Sequence, residues 1–341
     1  MSTPIIAFFN NKGGVGKTTL VYHIAWMYAD LGLKVLAADL DPQANLTSAF
    51  LEEERLEELW AEQGPRLTIS GCLEPLVRGT GDIGDVNVEQ VEESGAMVSV
   101  VPGDLMLSAF EAQLSDAWPR CVDRDERAFR VTSSIYRVLQ RAASRCEAEL
   151  ILMDLGPNLG AINRACLVSS DAVVIPLSPD LFSLQGLKNL GPTLARWRQE
   201  WSRRRNENPA KDLLLPEGKA APAGYVILMH SVRLDRPVRS YEKWMLRIPG
   251  EYHRSILGDE LPPPSSPQED PECLHMLKHF RSLIPMAQEA RKPVFYLRTA
   301  DGAIGSHAAL VQDARREFRR LAERILEKTG LGRIPTSPAA R

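Results

Sequence analysis

Two lysines and a threonine set around a glycine-rich turn carry the clearest chemistry in this 341-residue sequence. The run Asn11-Lys12-Gly13-Gly14-Val15-Gly16-Lys17-Thr18-Thr19 follows the apolar stretch Ile5 to Phe9 and precedes a helical pattern. A strand that feeds a glycine-rich turn and then a helix N-terminus aims successive backbone N–H groups, and the positive end of the helix dipole, at one spot where phosphates can sit. Glycines let the backbone approach that closely. Lys17 would reach the β- and γ-phosphates as a point charge, and the Thr18 hydroxyl is placed to ligate the Mg²⁺ that accompanies them. The order strand, loop, helix separates this run from an ordinary glycine-rich turn.

Carboxylates follow at two strand ends. Asp39-Leu40-Asp41-Pro42-Gln43 closes the second apolar run. Ligands of open α/β sheets lie at the carboxyl ends of the strands, so this segment should converge with the phosphate loop. Period-two geometry puts Asp39 and Asp41 on one side while the strand persists. The plainer reading of Asp41 is a capped turn in which it merely precedes proline. In Leu150-Ile151-Leu152-Met153-Asp154, four apolar residues end in aspartate, as in a buried strand that delivers a carboxylate to a metal. Such an aspartate would be costly without a cation or donors nearby. With Mg²⁺, lysines and backbone donors, catalysis would be positioning and charge stabilisation of an in-line attack by water on the γ-phosphorus. No Ser/His/Asp or Cys/His spacing suggests a covalent route.

The common phosphate loop has glycine six positions before its lysine; here that position is Asn11, and a second lysine, Lys12, follows it. The string from Lys12 to Thr19 resembles the deviant Walker A motif of the ParA/MinD family of ATPases. The resemblance implies a P-loop NTPase fold: α/β, a doubly wound, mostly parallel sheet flanked by helices. It implies that Lys12 crosses a dimer interface to the nucleotide of the partner subunit, so Lys12, Lys17 and Asp41 form the expected catalytic set. The Asp-x-Asp-Pro-Gln segment resembles the family's, which implies that Asp41 orients the attacking water and that the stretch after it behaves as a switch. Thr18, Asp39 and Asp154 are the expected metal set, with Asp39 either structural or an outer-shell carboxylate. Where the family usually carries Asp-x-Pro-Pro-Ser, this chain has Gly156-Pro157-Asn158 after Leu155, which leaves Asp154 in place but departs from the switch pattern. Likeness continues at Val173 to Asp180, Gly186-Leu187 and Glu289 to Phe295. Adenine contacts are expected around Met229–Ser231 and Arg291–Pro293, although the base could equally be unread.

The function implied is a Mg²⁺-dependent ATPase that forms a homodimer around ATP, binds DNA without sequence preference and works with a ParB-like protein that stimulates hydrolysis, in DNA or cargo partitioning. Its expected place is cytoplasmic, and nucleoid-associated when ATP-bound. A MinD-like membrane-surface ATPase would need an amphipathic C-terminal helix, whereas Thr329-Gly330-Leu331-Gly332-Arg333-Ile334-Pro335 is short and broken. Biosynthetic ligases of the same superfamily as a rule lack the paired-lysine loop.

Strands are expected at Ile5–Phe9, Lys34–Asp39, Met97–Val101, Leu150–Asp154, Ala172–Pro176, Tyr225–Met229 and Val294–Tyr296, alternating with helices as in a parallel sheet with crossovers. Leu20, Ile24, Met27 and Leu31 repeat at helical spacing, and His23 in that helix reads as a packed or surface residue. One domain is expected over residues 1–330, interrupted by a helical and then loop-like insertion at about 51–95 and a proline-rich surface excursion at 249–272, with a flexible tail at 331–341. Composition fits: 44% hydrophobic residues suffice for a core, and a net charge of −3 advertises no global nucleic-acid surface. No apolar run is of spanning length, and the five cysteines, without a CxxC pair, read as reduced small hydrophobes rather than cluster ligands. Two arginine-rich stretches are the local basic candidates: Arg196, Arg198, Arg203, Arg204 and Arg205, and Arg315, Arg316, Arg319, Arg320 and Arg324. In the second, Leu310, Ala314, Phe318, Leu321 and Ile325 would form the core-facing stripe. Either arginine stretch reads as a DNA-phosphate contact or as a solvated face paired with nearby glutamates. Trp197 and Trp201, one turn apart, read as packing residues.

Overall fold

The computed structural model describes residues 2–61, 67–228, 238–260, 262–278, 280 and 283–334. The expected contacts at Met229–Ser231 and the tail from residue 335 lie outside the described residues. Eight strands form one sheet: β1 (Ile5–Phe8), β2 (Val35–Leu40), β3 (Glu89–Glu93), β4 (Ala96–Val101), β5 (Leu150–Leu155), β6 (Ala172–Leu177), β7 (Ala221–Leu228) and β8 (Cys273–Leu277). Their order is β3-β4-β2-β5-β1-β6-β7-β8, parallel throughout except for the antiparallel β3–β4 pair. In chain order the helices are α1 (Lys17–Asp30), α2 (Asn45–Phe50), α3 (Glu53–Leu59), α4 (Ile69–Arg78), α5 (Glu111–Arg120), α6 (Glu126–Thr132), α7 (Ser134–Arg145), α8 (Ala161–Ser169), α9 (Leu181–Asn206), α10 (Val238–Met245), α11 (Ile248–Tyr252), α12 (Leu283–Glu289) and α13 (Ser306–Thr329). No helix among the described residues is long and apolar enough to cross a membrane.

Strand residues alternate between two cores because successive side chains point to opposite faces. Ile5 and Ala7 of β1 join Ile151 and Met153 of β5 in the core covered by α4 to α9 and α11. Ile6 and Phe8 join Leu150 and Leu152 in the core covered by α1, α2, α12 and α13. Helices on both faces bury the central strands completely, which is why those strands read as continuous apolar runs. The doubly wound sheet expected from the sequence is therefore present, and it points the ends of β1, β2 and β5 at one place.

The sheet departs from expectation at its edges. β3 and β8 were not expected as strands, whereas Val294–Tyr296, expected as one, is a 3₁₀ turn after Pro293. Its three apolar side chains are buried beneath helices instead, with Phe295 against Phe318 at 5.6 Å. So short an apolar run carries no periodicity to distinguish the two outcomes. β8 can approach β7 because Gly224 takes φ 125° there, and an added Cβ would lie 2.5 Å from the Glu272 carbonyl oxygen.

Both insertions carry core contacts. In the first, Ile69, Cys72, Leu73 and Leu76 of α4 are buried. Asp82 then ties the segment to α6 and α7 through Arg130 at 2.7 Å and Arg137 at 2.7 Å, which hold its carboxyl down at about 2 against the opposing effect of burial. The second, expected as a surface excursion, starts with a packed helix whose Ile248 and Tyr252 are fully buried. Trp197 and Trp201 are buried as packing residues, with Trp201 stacked on Trp118 at 5.8 Å.

Candidate functional site

The turn between β1 and α1 reverses through Gly14 and Gly16, at φ 72° and 87°, where a side chain would strain the backbone. Asn10 anchors its start: its amide donates to the Pro176 carbonyl at 2.6 Å, and its Oδ1 accepts the Lys12 N–H at 3.0 Å. The loop then lines an open cavity of about 860 Å³ with every residue from Lys12 to Thr19, and Asp41 and Gln43 face it from the end of β2. The phosphate-loop residues and Asp41 are thus brought together.

Beneath the loop lies a buried ionic cluster. Lys17 Nζ donates to Asp154 Oδ1, and Thr18 Oγ1 donates to Asp154 Oδ2 at 2.7 Å. Asp154 is fully buried at the end of β5; burial pushes its pKa up, while Lys17 and the two hydrogen bonds oppose that. Asp39 is its neighbour in register on β2 and is equally buried, and burial followed by the Asp154 charge pushes its carboxyl upward. Both Asp39 oxygens are engaged by protein: Oδ2 accepts the Thr47 N–H at 2.7 Å and the Thr47 hydroxyl at 2.8 Å, and Oδ1 accepts the Asp41 N–H at 3.3 Å. The oxygens of Thr18 and Asp154 fit a hard divalent cation that arrives with phosphates, since Mg²⁺ uses one or two protein ligands plus substrate oxygens and water. Consistent with a shared site of that kind, no self-sufficient cluster of three His, Cys, Asp or Glu occurs among the described residues.

Asp41 satisfies both readings left open by the sequence. Its Oδ1 accepts the Gln43 N–H at 3.1 Å and its carbonyl accepts the Ala44 N–H at 2.9 Å, so it closes a tight turn while its side chain faces the cavity. Lys12 lies within its own chain, with its ammonium on Asp180, the residue that also caps α9 by accepting the Ser183 N–H at 2.9 Å.

Three further residues hold the site. The Asn163 amide donates to the Gly156 and Asn158 carbonyls at 2.7 and 2.6 Å, clamping the loop after Asp154. Glu111 accepts N–H groups of Ala161 and Ile162 at the start of α8, where a carboxylate complements the helix dipole. His23 is a packed core histidine: its Nδ1 donates to the Thr19 carbonyl at 2.6 Å and its Nε2 accepts the Val294 N–H at 3.1 Å. Burial lowers its pKa to about 4, so the ring is neutral at ordinary pH. The sequence offers no local signal for Glu111, which is 50 residues from its partner Ala161.

The two arginine stretches differ. On α13, Arg316, Arg319, Arg320 and Arg324 pair with Asp313, Glu323, Glu317 and Glu327 of the same helix at 2.5, 3.1, 3.7 and 2.8 Å. At the end of α9, Arg204 packs on Trp118 and faces Glu200, but the exposed Arg196, Arg198, Arg203 and Arg205 have no acidic partner among the described residues. The expected α13 stripe is shifted by one position at its start, since Val311 is buried and Leu310 is 37% exposed.

A family model described as an AAA domain matches residues 3–206. The sporulation initiation inhibitor protein Soj of Bacillus subtilis is 31% identical over 186 residues, which cover 54% of this chain and 62% of Soj. The matched stretch thus spans about three-fifths of that relative's length. Among solved structures, a protein of Corynebacterium diphtheriae superposes with a TM-score of 0.68 at 24% identity, covering 96% of this chain and 98% of the other. The ParA of pNOB8, in a structure bound to nonspecific DNA, superposes at 0.57 with 19% identity, covering 96% and 99%. These two likenesses concern the fold.

Proposed function

Because the chain belongs to the ParA/MinD family of ATPases, with its AAA-domain match spanning most of the sheet, we propose that it is a Mg²⁺-dependent ATPase that dimerises around ATP, binds DNA without sequence preference and is switched off by a partner that stimulates hydrolysis. The carrying observation is the buried Lys17–Asp154–Thr18 cluster under a loop that begins with a second lysine and faces Asp41.

The residues divide the work as follows. Lys17 exchanges Asp154 for the β- and γ-phosphate oxygens, and the loop N–H groups hold the remaining phosphate charge. Thr18 and Asp154 hold the magnesium ion, which neutralises charge on the phosphates when bound. Asp39, engaged by Thr47, keeps the turn to Asp41 in shape. Asp41 orients the attacking water. Lys12 leaves Asp180 and contacts the triphosphate held by the partner subunit, so the dimer persists while the γ-phosphate is present and separates after hydrolysis. The unpaired arginines at the end of α9 supply the phosphate contacts to DNA, and a dimer doubles them. Such binding places the ATP-bound protein on DNA in the cell, as expected of a partitioning ATPase.

DNA retention measured with ATP, ADP and no nucleotide, each at two salt concentrations, tests the proposal. Retention that requires ATP and weakens steeply with salt supports it. Equal retention in all three nucleotide states contradicts it.

A further inference from the structure

The cavity has two walls that are far apart in sequence. α2 supplies Asn45, Ser48 and Ala49, and α12 with the turn after it supplies Ile284, Gln288 and Arg291. Arg291 spans the gap. Its Nη1 donates to the Leu51 carbonyl at 2.8 Å and lies 2.9 Å from the Glu52 carboxylate. Leu51 caps the C-terminus of α2, where carbonyls lack intrahelical partners and a cation is favoured.

The backbone of the same residue is held from α1, since the Tyr22 hydroxyl donates to the Arg291 carbonyl at 3.1 Å. The Tyr22 ring packs on Phe50, the last residue of α2, with centroids 4.8 Å apart. Helix α1, the end of α2 and the turn at Arg291 therefore close a ring at the mouth of the cavity. Arg291 adopts φ 50° within it, the left-handed conformation that strains a residue with a side chain and persists where neighbours over-determine it. The other end of α2 starts at Asn45, directly after the Asp41–Ala44 turn, so a displacement of α2 moves Asp41.

We propose that Arg291 is a positioning residue, a strap that fixes α2 against the α12 wall and so holds Asp41 in register with the phosphate loop when a nucleoside triphosphate fills the cavity. The proposal rests on the ATPase reading above. Arg291 contributes nothing to phosphate binding in this account; its effect reaches the reaction through α2.

Arg291→Gly removes the guanidinium and also relieves the strained φ, so loss of the fold does not confound it. Arg291→Lys keeps a single donor for the Leu51 carbonyl. We expect Arg291→Gly to bind MgATP within about threefold of the wild-type Kd while kcat falls about tenfold or more, the pattern of an interaction lost in the transition state alone. Arg291→Lys should recover part of that loss, and amide exchange in α2 with MgATP bound should be faster in Arg291→Gly than in the wild type. Unchanged kcat with unchanged α2 exchange overturns the strap, and so does a defect confined to KM, which would make Arg291 a nucleotide contact. A wild-type chain that hydrolyses no ATP defeats the ATPase reading instead, and α2 exchange in the presence of MgATP then still decides the strap.

Discussion

Helix α13 and the end of α9 carry similar numbers of exposed arginines and opposite arrangements of their neighbours. On α13 each outward arginine has a carboxylate three or four residues away on the same helix. Such pairs contribute about 0.3–0.5 kcal/mol each to helix stability and cancel the local field. At the end of α9, Arg196, Arg198, Arg203 and Arg205 stand without such carboxylates among the described residues. Their charge is uncompensated and free to meet a polyanion, so residue count alone misjudges a basic surface and partner count corrects it. With a net charge of −3 over the chain, any attraction to DNA must come from a patch of this second kind.

Charge reversal breaks or confirms that distinction. Replacing Arg196, Arg198, Arg203 and Arg205 with glutamate should weaken ATP-dependent DNA retention roughly a thousandfold at low salt and flatten the salt slope by about 3 to 4, because phosphate contacts are lost uniformly across sequences. Filter binding over a salt series reads both quantities, and an unchanged slope would return α9 to ordinary surface.

Acidity limits the range over which the comparison can be made. His23 titrates at about 4 in the fold and near 6.5 when unfolded, so between those values the unfolded chain binds a proton that the folded chain does not. Stability contributed by the neutral ring is complete above about pH 6.5 and falls by about 3 kcal/mol as the pH drops toward 4. Denaturant melts across that window should show the decline in the wild type and a flatter profile in His23→Gln; identical profiles would remove His23 as its source.

The smallest effect sharpens the contrast. Arg316→Glu, Arg319→Glu and Arg320→Glu together should alter DNA affinity less than about threefold, since their field is already cancelled, and should cost the helix about 1 kcal/mol. A large loss of DNA affinity from this triple variant would reverse the assignment of the two surfaces.

What the sequence made legible follows from the range of each signal. The loop from Lys12 to Thr19, the pair Asp39 and Asp41, and Asp154 are written within single strand ends, where apolar runs and glycines fix the local geometry, and they meet because parallel strands deliver their carboxyl ends to one side. The edge strands were less legible. Glu89–Glu93 alternates glutamates along an exposed edge, as edge strands do to resist pairing, and so resembles a loop in composition. Arg291 reaches Leu51 across a separation of 240 positions, and Glu111 reaches α8 across 50. No periodicity in one sequence encodes such contacts; only the packed sheet brings them together.

The most direct measurement is the molar mass of Asp41→Ala by light scattering with MgATP present. If Lys12 and Lys17 grip triphosphate from two subunits and Asp41 serves the water, this variant binds ATP, fails to hydrolyse it and accumulates as a dimer that disperses when ATP is replaced by ADP. A monomer at saturating MgATP would contradict the account.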